Sequence, residues 1–395
     1  MFWASIPTPL SAWPAAMYSL EQYASMFDDQ LRMEAYSSAI AKTVRPGDAV
    51  VDLGCGPGVF ALLACKGGAR RVYAIDTSGV VDFGRHLAAA NGFSDRIHFL
   101  RGDSRGIHLP ERANVIVSDV RGVVPLHSHA VGTLEDARNR FLADGGQLLP
   151  SRDTLYAAVI EHPDFYRQLA HPWNGSSHLD LSSGLPLVLN TMQRQHLKPR
   201  HLISKPCSWH VLDYTNGAVV PAEARIELPI TRDATGHGLG VWFETVLIGE
   251  IGFSTAPSEA DTVYGHLVLP WLEPVSLREG DLCSIDLRAS LVGNDYIWQW
   301  ETGIPAAHGR KEVRFVQSTF YGSLFPPSLL QKRKQDFVPV LNETGQAERW
   351  LLQAMDGQRP LAHIAAEAAQ LFPQVFRRTE DAMNLAADLA EKYSR

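Results

Sequence analysis

The chain has 395 residues, too many for one compact core, so two or three domains are expected. An apolar fraction of 45% and a charged fraction of 20% are ordinary for globular protein, and a net charge of −7 excludes the broad basic field of a general nucleic-acid binder. Four scattered cysteines, Cys55, Cys65, Cys207 and Cys283, fit neither a disulfide scaffold nor a Cys-x-x-Cys metal site. No apolar run reaches the roughly 20 residues of a membrane span, and the N-terminus lacks a signal peptide's basic and apolar regions. A reduced, cytoplasmic protein with no bound metal is the default.

The first 16 residues, rich in Pro and Trp, read as an irregular arm. From Ser19, a plausible N-cap, Leu20, Tyr23, Met26, Phe27, Leu31, Ala35, Tyr36 and Ile40 recur at helical spacing and predict one helix ended by Pro46-Gly47. From Asp48 to Pro150, apolar runs alternate with helical stretches. The strands AVVDLG, RVYAID, IHFLRGD and NVIVSDV frame the helices VFALLACK, VVDFGRHLAAA and TLEDARNRFL. This rhythm predicts a doubly wound α/β domain with a parallel sheet, whose ligands sit at the carboxyl ends of the strands.

After Pro150, short β-branched and aromatic segments separated by Gly, Pro, Asn and Asp predict an antiparallel barrel or sandwich. Aperiodic sequence over 163–206 reads as an inserted arm. In YIWQWETG, alternation places Trp298 and Trp300 on one face, as core packing of that domain. From about Thr344 the chain turns helical again. The expected organisation is an arm and covering helix (1–45), a Rossmann-like domain (46–150), a β-barrel domain (151–330) and a helical module (340–395).

Asp52-Leu53-Gly54-Cys55-Gly56-Pro57-Gly58 follows the first strand and precedes a helix. Its glycines let the backbone turn sharply and approach a ligand closely. Asp76, ending the second strand, is placed to accept ribose hydroxyls. The Gly-x-Gly-x-Gly spacing favours S-adenosylmethionine over a dinucleotide, since no pyrophosphate has to be cradled. Gly102-Asp103-Ser104, ending the third strand, falls where adenine contacts are expected.

With these residues the chain resembles the protein arginine methyltransferase family. VVDLGCGPGVFALLACKGGARRVYAID is similar to its first cofactor motif, and Met26-Phe27-Asp28-Asp29-Gln30-Leu31-Arg32 to its N-terminal helix motif. The resemblance implies that Arg32 grips the methionine carboxylate of S-adenosylmethionine, an apt task for a bidentate guanidinium. The cofactor set is then Arg32, Asp52, Gly54, Gly56, Gly58, Asp76, Asp103 and Ser104. FLADGGQLLPSRDTLYAAVIE and HLDLSSGLPLVLNTMQRQHLKPRHLISKPC resemble the segment closing the sheet domain and the family's dimerisation-arm region. A homodimer is implied.

One loop departs from that pattern. Where the family carries two glutamates that bracket a guanidinium, Asp119 replaces the first and Ser128 the second. The family's Thr-His-Trp loop falls at Thr262-Val263-Tyr264, so its histidine is missing too. A hydrogen bond to a charged group contributes about 1.5–3 kcal/mol, so a half-paired guanidinium fits poorly. Either the acceptor is less cationic, or a guanidinium pairs with Asp119 and another acid such as Glu135 or Glu301. Asp119, Ser128, His127 and His129 are the candidate catalytic residues, a histidine serving as proton acceptor. Arg121 reads as a salt-bridge partner of Asp119.

Trp350-Leu351-Leu352, Met355-Asp356-Gly357, Leu361, Ile364-Ala365 and Leu371-Phe372 resemble the small winged-helix modules of the PqqD type, which recognise leader peptides of ribosomally made precursors. The expected function is S-adenosylmethionine-dependent methyl transfer to a side chain, nitrogen before other atoms, of a peptide or protein. A leader-bearing precursor peptide is the substrate this module implies. A non-catalytic scaffold that kept the fold and a small-molecule methyltransferase are the alternatives.

Overall fold

The computed structural model describes residues 18–174, 179–216, 221–293, 295–324, 331–332 and 334–394. The expected N-terminal arm lies outside them. The chain forms two compact units, Met1–Ser323 and Leu324–Arg395.

The single expected opening helix is two, α1 (Leu20–Asp28) and α2 (Gln30–Thr43). A capping box between Ser19 and Gln22 starts α1. The break comes at Asp29, whose carboxylate caps α2 through Arg32 N (3.1 Å) and also accepts from Val263 N (2.9 Å), so one acid turns the chain and ties it to the β domain.

Five strands form the first sheet: β1 (Ala49–Leu53), β2 (Arg71–Asp76), β3 (Ile97–Arg101), β4 (Ala113–Ser118) and β5 (Leu142–Leu149). The helices α3 (Val59–Lys66), α4 (Val80–Ala90) and α5 (Ala130–Phe141) connect them. The order is β3-β2-β1-β4-β5 with every pair parallel. Crossover helices bury both faces, which is why Val50, Val51, Val115, Ile116 and Val117 read as unbroken apolar runs. The order reverses beside β1, where Leu53 pairs with Ser118, so Gly54 and Asp119 leave the sheet side by side at its switch point. β5 is an addition to the expected strands. Its Ala143-Asp144-Gly145-Gly146 run hides the strand from periodicity.

The rest of the first unit is antiparallel, as expected. One sheet holds β6 (Arg152–Ile160), β7 (Gln193–Gln195), β8 (Cys207–Asp213), β10 (Ala234–Ile248), β11 (Ile251–Ser254) and β12 (His266–Leu277), in the order β7-β12-β10-β6-β8 with β11 folded back on β10. The other holds β9 (Ala222–Pro229), β13 (Leu282–Val292), β14 (Asp295–Ile304) and β15 (Val313–Ser318), in the order β15-β14-β13-β9. Trp271, Trp298, Trp300 and Phe315 are buried in one apolar cluster, so the two tryptophans of β14 are core, as alternation predicted. The strands β7 and β8 escaped the sequence reading: β7 is three residues long, and β8 (Cys-Ser-Trp-His-Val-Leu-Asp) lacks a regular apolar alternation. Between β6 and β7 the inserted region carries α6 (Pro163–Ala170), the short α7 (Leu185–Val188) and three-residue helical turns.

Among the described residues, the second unit contains α8 (Glu343–Ala354), α9 (Leu361–Leu371) and α10 (Thr379–Tyr393). They close on their own core of Ala347, Leu351, Ile364, Ala365, Ala368, Phe376, Ala382 and Ala386. Its described residues form helices and contain no strand.

Candidate active site

A cavity of about 1390 Å³ opens at the carboxyl ends of the parallel strands. Gly54, Cys55, Gly56, Asp76, Thr77, Ser78, Asp103 and Ser104 line one part of it. Arg32, Asp119 to Val124, His127 and Thr262 to Tyr264 line another.

The glycine loop is stitched to β2. Gly54 N and Cys55 N donate to Ile75 O (2.9 and 3.0 Å), and Gly56 N donates to Asp76 Oδ2 (2.8 Å). Asp76 Oδ1 accepts from Ser78 N (2.8 Å), so Asp76 shapes the loop while its remaining lone pairs face the cavity. Gly54 and Gly56 have φ of +70° and +53°, where an L side chain is strained. A Cβ on Gly54 would strike Val120, and one on Gly56 would lie 2.8 Å from the Tyr23 ring. The loop therefore leaves a bare backbone cradle, and it fits the adenosyl cofactor its spacing predicts.

The other cofactor candidates divide. Ser104 lines the cavity, and so does Asp103, which Arg105 clamps at 2.6 Å. That hydrogen bond holds the Asp103 carboxyl below its ordinary range. Asp52 and Gly58 lie outside the lining. Gly58 starts α3 against the Phe99 ring. Asp52 is 1% exposed, accepts from Ala61 N (2.8 Å) through Oδ2, and has no partner at Oδ1 among the described residues. Burial pushes its pKa up to about 7.

Asp119 sits at the centre of the acceptor part. Its Oδ2 accepts from Arg32 Nε (2.5 Å) and the Tyr264 hydroxyl (2.6 Å), and its Oδ1 from Arg121 Nε (3.2 Å) and Nη2 (3.1 Å). Arg121, 7% exposed, also reaches Asp153 Oδ1 (3.0 Å), Thr245 Oγ1 (2.8 Å) and the Tyr36 hydroxyl (2.5 Å). The Tyr214 hydroxyl donates to Asp153 Oδ2 (2.7 Å). Burial pushes Asp119 up, but Arg32 and Arg121 outweigh it and hold the carboxyl below its ordinary value. Burial and the Asp119 carboxylate push Tyr264 far above its ordinary value, so it remains a hydroxyl donor.

The remaining loop candidates are separated. His127 lines the cavity, with Nε2 3.2 Å from Ser128 Oγ. Ser128 turns away at φ +47°, its N–H held by Asp295 Oδ1 (3.0 Å), and His129 caps α5; neither lines the cavity. The auxiliary acids fail as well. Glu301 on β14 pairs with Arg314, and Glu135 rides on α5, both away from the lining. Sequence reasoning missed Tyr264, Asp153, Thr245 and Tyr214. The position of Tyr264 in the departing loop was the one usable signal; Asp153 and Thr245 meet Arg121, and Tyr214 meets Asp153, only through the tertiary fold.

Two family descriptions match the chain: "Ribosomal protein L11 methyltransferase (PrmA)" over residues 33–149 and "Arginine methyltransferase oligomerization subdomain" over 151–294. The chain is 36% identical to "Probable protein arginine N-methyltransferase 6" of Arabidopsis thaliana over 165 residues, which is 41% of this chain and 38% of that one. It is 26% identical to "Protein arginine N-methyltransferase 1" of Saccharomyces cerevisiae over 278 residues, which is 67% of this chain and 79% of that one. Among solved structures it is similar in fold to the Trypanosoma brucei PRMT1 enzyme-prozyme complex with AdoHcy. That match has a TM-score of 0.69 and 20% identity, over 75% of this chain and 96% of that one. It is similar also to Arabidopsis thaliana Protein Arginine Methyltransferase 10, with a TM-score of 0.67 and 23% identity over 76% and 97%.

Proposed function

We propose that this S-adenosylmethionine-dependent methyltransferase transfers the methyl group to an uncharged nitrogen in a side chain of a peptide or protein. The carrying observation is that Asp119, the single carboxylate of its loop facing the cavity, is already bound by Arg32 and Arg121. Two guanidiniums and the carboxylates of Asp119 and Asp153 sum to zero charge. A guanidinium acceptor would therefore add an uncompensated cation in a desolvated site, which costs several kcal/mol.

The cofactor supplies an activated methyl on a sulfonium. In this reading Arg32 grips its carboxylate, Asp76 holds the ribose, and Asp103 with Ser104 flanks the adenine. Gly54 and Gly56 give the backbone approach. Asp52 and Gly58 act through the loop's shape. Asp119 and Tyr264 orient the acceptor nitrogen and stabilise charge developing on it, and His127 takes its proton. Ser128 and His129 contribute through the loop's fold.

The oligomerisation-subdomain match and the exposed Leu179, Leu181 and Leu187 of the inserted region support a homodimer. The separate core of α8, α9 and α10 supports a tethering role for that unit, capturing a leader on a precursor peptide and raising local substrate concentration. Four free cysteines accord with a reduced, cytoplasmic setting; among the described residues no helix is long and apolar enough to cross a membrane. The test is turnover of Asp119→Asn with calorimetric S-adenosylmethionine binding as the control. Full turnover would remove Asp119 from the reaction.

A further inference from the structure

The cavity wall beyond Tyr264 carries a cation that the cofactor and acceptor assignments do not use. Arg194 lies on β7, and His196 and Lys198 follow just after it. Arg194 and His196 line the cavity beside Asp261, Thr262 and Val263. Asp261 is occupied: Lys198 Nζ binds its Oδ2 at 2.5 Å, and His196 Nδ1 lies 3.8 Å from its Oδ1. Arg194 has no carboxylate within ion-pair distance among the described residues.

What Arg194 does have is an anchor. Its Nη2 donates to the carbonyl of Val263, the residue before Tyr264, whose hydroxyl is 2.6 Å from Asp119. This fixes the guanidinium at the mouth of the acceptor part. Burial lowers the Arg194 pKa, and the Tyr18 hydroxyl acts against that. Of the other acids near this mouth, both oxygens of Asp29 are taken by Arg32 N and Val263 N. Asp28 lines the cavity as well, exposed at the end of α1. Lys198 offsets Asp261, and Asp29 keeps its charge but is held by two backbone N–H groups, which leaves Arg194 as the cation of this wall with no ion-pair partner among the described residues. A guanidinium with free N–H donors, held by one carbonyl, matches a carboxylate in shape and charge.

We propose that Arg194 is a specificity-determining residue that binds a carboxylate side chain of the substrate next to the methylated residue, so that the substrate is an acidic peptide segment. The inference rests on the acceptor reading of this cavity. A molecule of net charge −7 otherwise repels acidic peptides, which makes the preference a strict test.

The experiment measures binding of fluorescein-labelled hexaglutamate and hexalysine to the full chain loaded with S-adenosylhomocysteine. Wild-type protein should prefer hexaglutamate by at least about tenfold, in line with one charge-assisted, bidentate contact. Arg194→Glu should abolish that preference and Arg194→Gln should weaken it, both with unchanged cofactor affinity by calorimetry. Equal or stronger hexalysine binding, or a preference that survives Arg194→Glu, would overturn the assignment. A wild-type protein that binds no cofactor would instead overturn the underlying acceptor reading, and the proposal with it.

Discussion

Arg32 Nε and Asp119 Oδ2 lie 2.5 Å apart, an ion pair that joins helix α2 to the loop after β4 across 87 positions of sequence. The pair brings the proposed cofactor grip and the proposed acceptor carboxylate into one contact. Arg121 completes it from the other side at 3.1 Å and continues to Asp153 in the β domain.

Replacing Asp119 with Asn keeps the shape and removes the charge that orients and stabilises the acceptor. The expected outcome is a fall in kcat of about 100-fold or more with cofactor affinity changed only a few-fold. Steady-state kinetics beside calorimetry separate the two effects. A loss confined to cofactor binding would reassign Asp119 to that site.

Arg121→Met leaves Asp119 and Asp153 buried without their shared cation. Removing one partner of such a network costs about 3–5 kcal/mol. Thermal unfolding should show that loss, and Arg121→Met combined with Asp153→Asn should recover part of it, because the second change removes an unpaired buried charge. The acid limb of the turnover profile should also move up, since Arg121 helps keep Asp119 ionised.

Much of this was legible in the sequence. The parallel sheet, the cofactor loop, the antiparallel domain and the helical C-terminal stretch rest on periodicity and glycine placement, which are local. Asp119 was legible as well, because it follows directly on a buried strand. Of its partners, Arg121 was legible from its place in the same loop, while Arg32 and Tyr264, from distant elements, were not. Arg121 is drawn to Asp153, Thr245 and Tyr36 from three separate elements, and no spacing encodes that meeting. Ser128 and His129 were misplaced because a positive φ at Ser128 swings the loop away, a turn that register alone does not reveal. The break at Asp29 was hidden because the apolar spacing runs across it, while the cap depends on Val263 far away.

Asp52 offers a pH test in protein without cofactor. Burial raises its pKa from an ordinary 3.8 to about 7. The folded state therefore holds a proton that the unfolded state has lost, and the stability tied to that proton is complete below the unfolded pKa and lost as pH rises through about 7. Asp52→Asn keeps an acceptor for Ala61 N and carries no charge. Its Tm should rise relative to wild type between pH 5.5 and pH 8.5. A difference that stays constant with pH would show that Asp52 does not titrate in this range.

Deleting the second unit, residues 324–395, tests its proposed tethering role. Transfer to a short acceptor peptide should be retained, while KM for a full-length, leader-bearing precursor should rise at least about 100-fold, the scale of a lost effective concentration. Unchanged KM for the precursor would assign the three helices to another task.

The most direct measurement is the identity of the methylated residue. The protein is incubated with methyl-labelled S-adenosylmethionine and a peptide library, and the labelled products are hydrolysed for amino-acid analysis. A carboxylate already bound by Arg32 and Arg121 predicts label on a side-chain nitrogen that is uncharged when it reacts. Methylarginine as the dominant product would contradict the account.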